Sequence, residues 1–119
     1  MKIIVSVTLL TLSTISFQTL SASSSIIDKL NINISKCYQQ TEKGKYAKKR
    51  ACNTVLKSDF ISRKNRAIAY HNRGVINLNQ GDINSAFRDF RRAIKYDPTM
   101  SKTKQIVAYL NTKMSNQVG

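Results

Sequence analysis

Few residues of this chain could catalyse a reaction: two cysteines, one histidine and six acidic residues among 119. His71 has no Ser, Cys or acid placed near it by sequence to complete a nucleophilic or acid–base constellation. Cys37 and Cys52, with one distant histidine, supply too few ligands for a zinc site. Six acids, most at predicted caps or turns, are poor material for acid–base catalysis. We therefore predict a protein that is not an enzyme and that uses no metal and no cofactor.

Basic side chains dominate the charged residues. Lys and Arg number 20 against six acids, which gives a net charge of +14. Such an excess favours anionic partners, namely acidic protein, anionic lipid or nucleic acid, without choosing among them. We predict a basic patch at Lys45, Lys48, Lys49, Arg50, Arg88, Arg91 and Arg92. The alternative is a solvated cationic surface that binds nothing. Nucleic acid is not expected as the partner, because no base-reading motif is present and the chain is predicted to be exported.

Residues 1–22 have the layout of a secretory signal peptide. Lys2 supplies a positive start, residues 3–17 are apolar, and small residues follow from Ser21. The apolar run is short for a membrane span, which needs about 20 apolar residues. We expect cleavage after Ala22 and a periplasmic or secreted protein of a bacterium. The alternative is an uncleaved membrane anchor. In an oxidising compartment, a pair of cysteines indicates a crosslink and not a metal site.

The rest of the chain predicts an all-helical domain over residues 31–114, without a convincing strand pattern. Residues 23–30 form an irregular lead-in, and residues 115–119 a frayed tail. A weak helical hairpin is predicted at 31–57, and a capping helix at 101–114. Asp59 or Ser62 is expected to cap the helix that starts near residue 63.

The segment 67–100 is the clearest part of the pattern. Two apolar helical stretches are joined by Gln80–Asp82 and closed by Asp97-Pro98, and Gly81 suits a left-handed residue just past a helix end. The residues that carry the pattern are Tyr70, Gly74, Gly81, Asp82, Ala86, Phe90, Ala93 and Pro98. In type and spacing they resemble a tetratricopeptide repeat, a helix-turn-helix unit of about 34 residues, as in short exported bacterial members of that family. Asn77 departs from the pattern, because the family usually has an aromatic residue there. An ordinary helical hairpin is the alternative.

The resemblance implies a short solenoid of antiparallel helical hairpins with a C-terminal capping helix. It implies repeat packing by Tyr70, Gly74, Ala86, Phe90, Ala93 and Pro98. Gly74 is expected to meet Ala86 where the helices cross, and Tyr70 to stack on Phe90. Arg73 is expected to pair with Asp89 across the hairpin.

Residues 31–57 are similar to a degenerate earlier hairpin of the same kind, with Gly44 in the place that Gly81 holds later. Cys37 lies seven residues before Gly44 and Cys52 eight after it. In an antiparallel hairpin, equal distances from the turn bring residues level, so we predict a Cys37–Cys52 disulfide. Free buried thiols are the alternative. A crosslink suits a solenoid too short to bury its apolar faces alone.

The resemblance also implies a function. Such units usually hold a peptide or partner protein in a groove lined by their first helices, here Ile68, His71, Asn72, Val75 and Asn79. We therefore expect a non-catalytic protein-binding module, an adaptor or assembly factor in an exported compartment. The alternative is a cationic binder of an anionic surface, membrane lipid or acidic polymer, through the Lys and Arg clusters.

Overall fold

The structure is a computed structural model that describes the backbone of residues 13–39 and 43–119, and the side chains within those ranges from residue 24 onward. Its helices are α1 (Ser13–Tyr38), α2 (Lys45–Lys57), α3 (Arg63–Asn79), α4 (Ile83–Tyr96) and α5 (Ser101–Val118). The two described ranges contain no strand. The most extensive packing joins α3 to α4, and the next joins α1 to α2. The predicted class, all-helical with hairpins like those of a repeat solenoid, is confirmed.

The two outer helices are longer than predicted. Helix α1 runs without interruption through residues 23–30, so the irregular lead-in is wrong. Leu30, Ile34 and Tyr38 pack against a buried cluster at helical spacing, and a helix fixed at one end extends at little further cost. Likewise, α5 continues to Val118 and includes most of the predicted frayed tail.

Only part of the predicted signal peptide can be compared with the structure. Residues 1–12 lie outside the described residues, as do the side chains of residues 13–22. In the part of the chain that the structure describes, no helix combines the length and the apolarity that crossing a bilayer requires. Cleavage after Ala22 and export both stay predictions.

Caps and glycines fix the turns. Ser62 Oγ accepts a hydrogen bond from Asn65 N at 3.1 Å at the start of α3. Asp82 Oδ1 accepts one from Ser85 N at 3.0 Å at the start of α4, and that bond lowers the pKa of Asp82. Gly44 and Gly81 have φ of 75° and 79°, a left-handed conformation that favours glycine. Local sequence therefore sets where α2, α3 and α4 begin.

Two buried clusters hold the helices together. The first joins α1, α2 and α3, and its fully or nearly buried members are Cys37, Ala51, Cys52, Val55, Ala69 and Ile76. The second joins α3, α4 and α5; it consists of Ala86, Phe90 and Leu110, with Val75, Leu78, Ile83, Phe87, Ile106 and Val107 packed around them. Helix α3 contributes to both, so it is the central element of the fold.

Cys37 and Cys52 form a disulfide between α1 and α2, with their Cα atoms 4.8 Å apart. Both side chains are completely buried in the first cluster. Asn72 Nδ2 donates to the Cys37 carbonyl oxygen at 3.2 Å, which ties α3 to the crosslinked pair. The weaker hairpin thus carries the crosslink that the spacing about Gly44 predicts.

Candidate functional site

Gly74 makes room for an aromatic ring at the crossing of α3 and α4. A Cβ built on Gly74 would lie 2.8 Å from Phe90 Cε1 and 3.0 Å from Phe90 Cδ1, closer than real Cβ contacts. Phe90, Ala86 and Ala93 are all completely buried. The absence of a side chain at Gly74 therefore lets the Phe90 ring fill the space between the helices.

The expected stack of Tyr70 on Phe90 is wrong. Tyr70 stacks on Tyr96, with ring centroids 5.7 Å apart and planes at 11°. Phe90 lies against His71, with centroids 5.5 Å apart and planes tilted by 56°. The pairs Tyr70–Tyr96 and Gly74–Phe90 centre on residues 82–83, whereas the prediction placed the hairpin's centre at residue 80. A shift of about two residues gives each aromatic ring a different partner.

Pro98 and Tyr70 are less buried than repeat packing implied. Pro98 is exposed in the turn after α4, where it ends the helix and does not pack inside the hairpin. Tyr70 is half-buried because its stacking partner, Tyr96, lies near the end of α4. Pro98 therefore sets the length of α4 and has no part in the core.

A partly buried ion pair links α3 and α4. Arg73 Nε donates to Asp89 Oδ2 at 2.8 Å, and Arg73 Nη2 donates to Oδ1 at 2.7 Å, a bidentate arrangement. Asp89 is only 3% exposed. Arg73 Nη1 also donates to Asn53 Oδ1 of α2 at 2.8 Å. The hydrogen bond to Asp89 raises the pKa of Arg73, so the guanidinium stays charged. The expected Arg73–Asp89 pair is confirmed, and it joins three helices.

Asn77, the departure from the family pattern, belongs to this same cluster. Its Nδ2 donates to Asp89 Oδ2 at 3.0 Å. Asn77 is 3% exposed, and its Oδ1 has no hydrogen-bond partner among the described residues. Sequence reasoning missed this role, although Asn77 lies one turn from Arg73 on the same side of α3, a spacing that indicates a shared partner.

These contacts define a hairpin over Ala67–Tyr96 followed by an Asp97-Pro98 turn. The family model of the tetratricopeptide repeat matches residues 67–100. The match covers under a third of the chain. It falls on the same segment whose residues resemble this family. No curated protein and no solved structure matches the chain. The resemblance is confirmed over the repeat, and tetratricopeptide repeats generally mediate binding between proteins and are typically non-catalytic.

Three of the five residues predicted to line a groove on the first helix of the repeat, His71, Asn72 and Val75, pack against neighbouring helices, although Val75 stays partly exposed. Asn72 is buried and bonded to Cys37, so its assignment to an open groove is wrong. Val75 packs against the second cluster. Ile68 is half-buried, and Asn79 is exposed. The open part of this side of α3 is therefore narrower than predicted, because α1 and α5 flank it.

His71 has a packing role between α3 and α5. Its Nδ1 shares a hydrogen bond of 2.9 Å with Thr103 Oγ1, and its ring contacts Phe90. Burial lowers the pKa of His71, which favours the neutral ring. Within residues 13–39 and 43–119, no three His, Cys, Asp or Glu side chains come together as candidate metal ligands.

The predicted basic patch divides into separate places. Lys49 joins Arg88 and Arg92 at a cleft of about 220 Å³ between α2, α3 and α4, which we name the polar cleft. The polar cleft is also lined by Asn53, Arg73, Asn77, Asp82, Ser85 and Asp89. Arg91 lies in an adjacent recess of about 320 Å³, the α4 recess, whose lining is Arg88, Arg91, Arg92 and Lys95. Lys48 lines a different recess, against α1, and Lys45 and Arg50 are exposed elsewhere on α2.

Aromatic faces hold several arginines of the repeat. The guanidiniums of Arg73 and Arg92 lie over the Tyr70 ring, at 5.4 and 5.7 Å from its centroid. Arg91 lies over Phe87 at 5.8 Å. Attraction between a cation and a ring face restricts a flexible side chain. The arginines of α4 are therefore partly ordered before any ligand arrives.

Proposed function

We propose that this chain is a non-catalytic module that binds another protein, as an adaptor or assembly factor in an exported compartment. The observation that carries the proposal is the tetratricopeptide repeat over residues 67–100, folded as a packed hairpin between further helices. Units of this kind generally bind proteins. His71, the one histidine, is engaged with Thr103 and Phe90, which argues against a catalytic role for it.

The contact surface that we propose is the side of α3 formed by Ile68, Val75 and Asn79, which we name the groove face. Successive residues of a helix turn by about 100°, so these three fall within an arc of about 40°. Ile68 and Val75 are half-buried and Asn79 is exposed, which leaves an apolar strip with a polar end. A short helix or extended peptide with apolar side chains fits this strip.

Two features support the exported location. The sequence of residues 1–22 has signal-peptide layout. The Cys37–Cys52 disulfide is typical of an oxidising compartment, where such bonds form and persist. A periplasmic or secreted adaptor in a bacterium is consistent with both.

Site-specific photocrosslinking in the source cells tests the proposal. A photoreactive amino acid replaces Ile68 or Asn79 on the groove face, or Thr54 on an exposed position of α2 as the control. We expect one defined partner to crosslink at positions 68 and 79, and not at 54, with a yield that persists at high salt. An adduct at position 54 alone, or none at any position, contradicts groove binding.

The alternative, binding of membrane lipid or acidic polymer through the basic patch, makes a different prediction. Exposed charges are screened within about 10 Å at 0.1 M salt, so such binding weakens steeply as salt rises. Cosedimentation with anionic vesicles over a salt series separates the two functions. Retention that collapses with salt, together with no crosslink at the groove face, would favour the alternative.

A further inference from the structure

The polar cleft and the α4 recess form one continuous cationic surface. They share Arg88 and Arg92, and Lys49, Arg91 and Lys95 extend the surface on either side. Along α4 the four basic residues are spaced i, i+3, i+4 and i+7, so they span about 10 Å of one helix side. An elongated ligand can contact several of these residues together.

The carboxylates of the cleft leave most of this positive charge uncompensated. Asp89 is bonded to Arg73 and Asn77 through both of its oxygens. Asp82 caps α4 through Ser85 N. Arg73 and Asp89 form an ion pair with an N–O distance of 2.7 Å, so the charge of Asp89 is already compensated. The Asp82 carboxylate attracts Arg88 and Lys49 and compensates part of the charge. Among the described residues, no carboxylate forms an ion pair with Arg88, Arg91, Arg92 or Lys95.

The guanidinium groups are positioned for anions. Arg92 is held over Tyr70 and Arg91 over Phe87, while Arg88 Nη2 donates to Ser85 Oγ at 2.9 Å. A guanidinium presents a planar fork that binds a carboxylate through two hydrogen bonds, and an ordered fork loses less entropy on binding. The arrangement favours a ligand with discrete carboxylates over a diffuse negative surface.

The shape of the surface favours a peptide. The surface is concave, whereas a bilayer is flat and presents its headgroups in a plane. The polar cleft has a volume of about 220 Å³ and the α4 recess about 320 Å³, and side chains of an extended segment can enter both. An acidic peptide places carboxylates at intervals along its length, which matches cations spread over about 10 Å of one helix side.

We propose that the polar cleft and the α4 recess together bind an acidic, extended segment of a partner protein. This site is distinct from the groove face: Arg73 and Asn77 lie about 140° and 180° around α3 from Ile68. The inference rests on the proposed function, because it takes the ligand to be part of a protein. It adds that a partner carries an acidic stretch and that the repeat can be contacted on two sides.

Fluorescence anisotropy with the oxidised full-length chain tests the inference. The probe is a labelled peptide of alternating Glu and Ala, with the Gln–Ala peptide as the neutral control. Arg88→Gln with Arg92→Gln removes two charges from the site, and Lys102→Gln with Lys113→Gln removes two exposed charges from α5. We expect the first pair to weaken binding about tenfold or more, and the second less than about threefold. Far-UV circular dichroism confirms that each variant is folded.

A second pair of variants separates geometry from charge. Arg88→Lys with Arg92→Lys keeps both charges but removes the guanidinium forks, so we expect a loss about midway between wild type and the Gln pair. Equal losses for the α4 and α5 Gln pairs would overturn the inference, since binding would then follow net charge alone. The inference would also be overturned if binding to vesicles of anionic lipid required Arg88 and Arg92 while binding to the peptide did not. Crosslinking at Ile68 and Asn79 is read independently, so either proposal can fail while the other stands.

Discussion

Gly74→Ala places a methyl group against the ring that fills the hairpin. The new Cβ would lie 2.8 Å from Phe90 Cε1, 3.0 Å from Cδ1 and 3.1 Å from Cζ. Phe90 has no exposed surface, so the ring cannot swing into solvent to relieve the contact. Overpacking of a core typically costs about 1–3 kcal/mol. Replacing a mid-helix glycine with alanine stabilises the helix by about 0.8–1.0 kcal/mol through its higher helix propensity. We therefore expect a net loss of about 1 kcal/mol of unfolding free energy.

The effect of Gly74→Ala on the free energy of unfolding should change sign when Phe90 is replaced by a smaller side chain. Phe90→Leu alone opens space in the second cluster and costs about 1–3 kcal/mol, on the scale of other large-to-small core changes. In that background the Gly74→Ala methyl no longer meets ring carbons at 2.8–3.1 Å. We expect it to be neutral or to stabilise by up to about 1 kcal/mol, the helix-propensity gain alone. The coupling between the two sites is then about 1–2 kcal/mol, the size found for residues in contact.

Urea denaturation of the oxidised proteins, followed by far-UV circular dichroism, measures the stability of wild type, both single variants and the double variant, which together form a double-mutant cycle. Asn111→Ala, at an exposed interior position of α5, reports the propensity gain without a steric term. We expect Asn111→Ala to stabilise by about 0.5 kcal/mol. If Gly74→Ala has the same effect with and without Phe90→Leu, the close approach of α3 and α4 at Gly74 is refuted.

Three further predictions follow from the buried groups. Asp89→Asn should cost about 2–3 kcal/mol by urea denaturation at pH 7, because Arg73 loses its carboxylate partner while still partly buried; a cost below about 0.5 kcal/mol would show the pair to be dispensable. Cys37→Ala with Cys52→Ala should cost about 3 kcal/mol, the chain-entropy value for a 15-residue separation, and two free thiols by non-reducing mass spectrometry of native material would contradict the crosslink. Burial lowers the folded-state pKa of His71 below its unfolded value of about 6.5, so the unfolded chain takes up the proton first as pH falls. Stability should therefore be intact above about pH 6.5 and decline as pH falls through the folded pKa, and His71→Gln should reduce the fall in Tm between about pH 7.5 and 5; equal falls in both proteins would refute it.

The hairpin could be predicted from sequence because its determinants are local. Gly81 and Asp82 define the turn through a left-handed residue and a cap, and small Gly74 marks where the helices approach. The disulfide was accessible for a similar reason, since distances from Gly44 are read directly from the chain. Each of these signals acts over a few residues and needs no knowledge of the neighbouring helices.

The site was less predictable because it depends on the exact register of α3 against α4 and on the contacts of the flanking helices. A two-residue shift of the hairpin centre gave Tyr70 the partner Tyr96 in place of Phe90. No sequence pattern indicates that Asn72 donates a hydrogen bond to the Cys37 carbonyl oxygen across the interface with α1. Lys48 and Lys49 are neighbours in sequence, yet only Lys49 lines the polar cleft, because adjacent helical residues point about 100° apart.

We propose that this chain acts by binding another protein through the groove face of its repeat. The most direct measurement is photocrosslinking from positions 68 and 79 in the source cells at high salt, with position 54 as the control and the captured protein identified by mass spectrometry. The prediction is one defined protein captured from both groove-face positions and absent from the control. No adduct at positions 68 and 79 from folded, oxidised chain would contradict the claim.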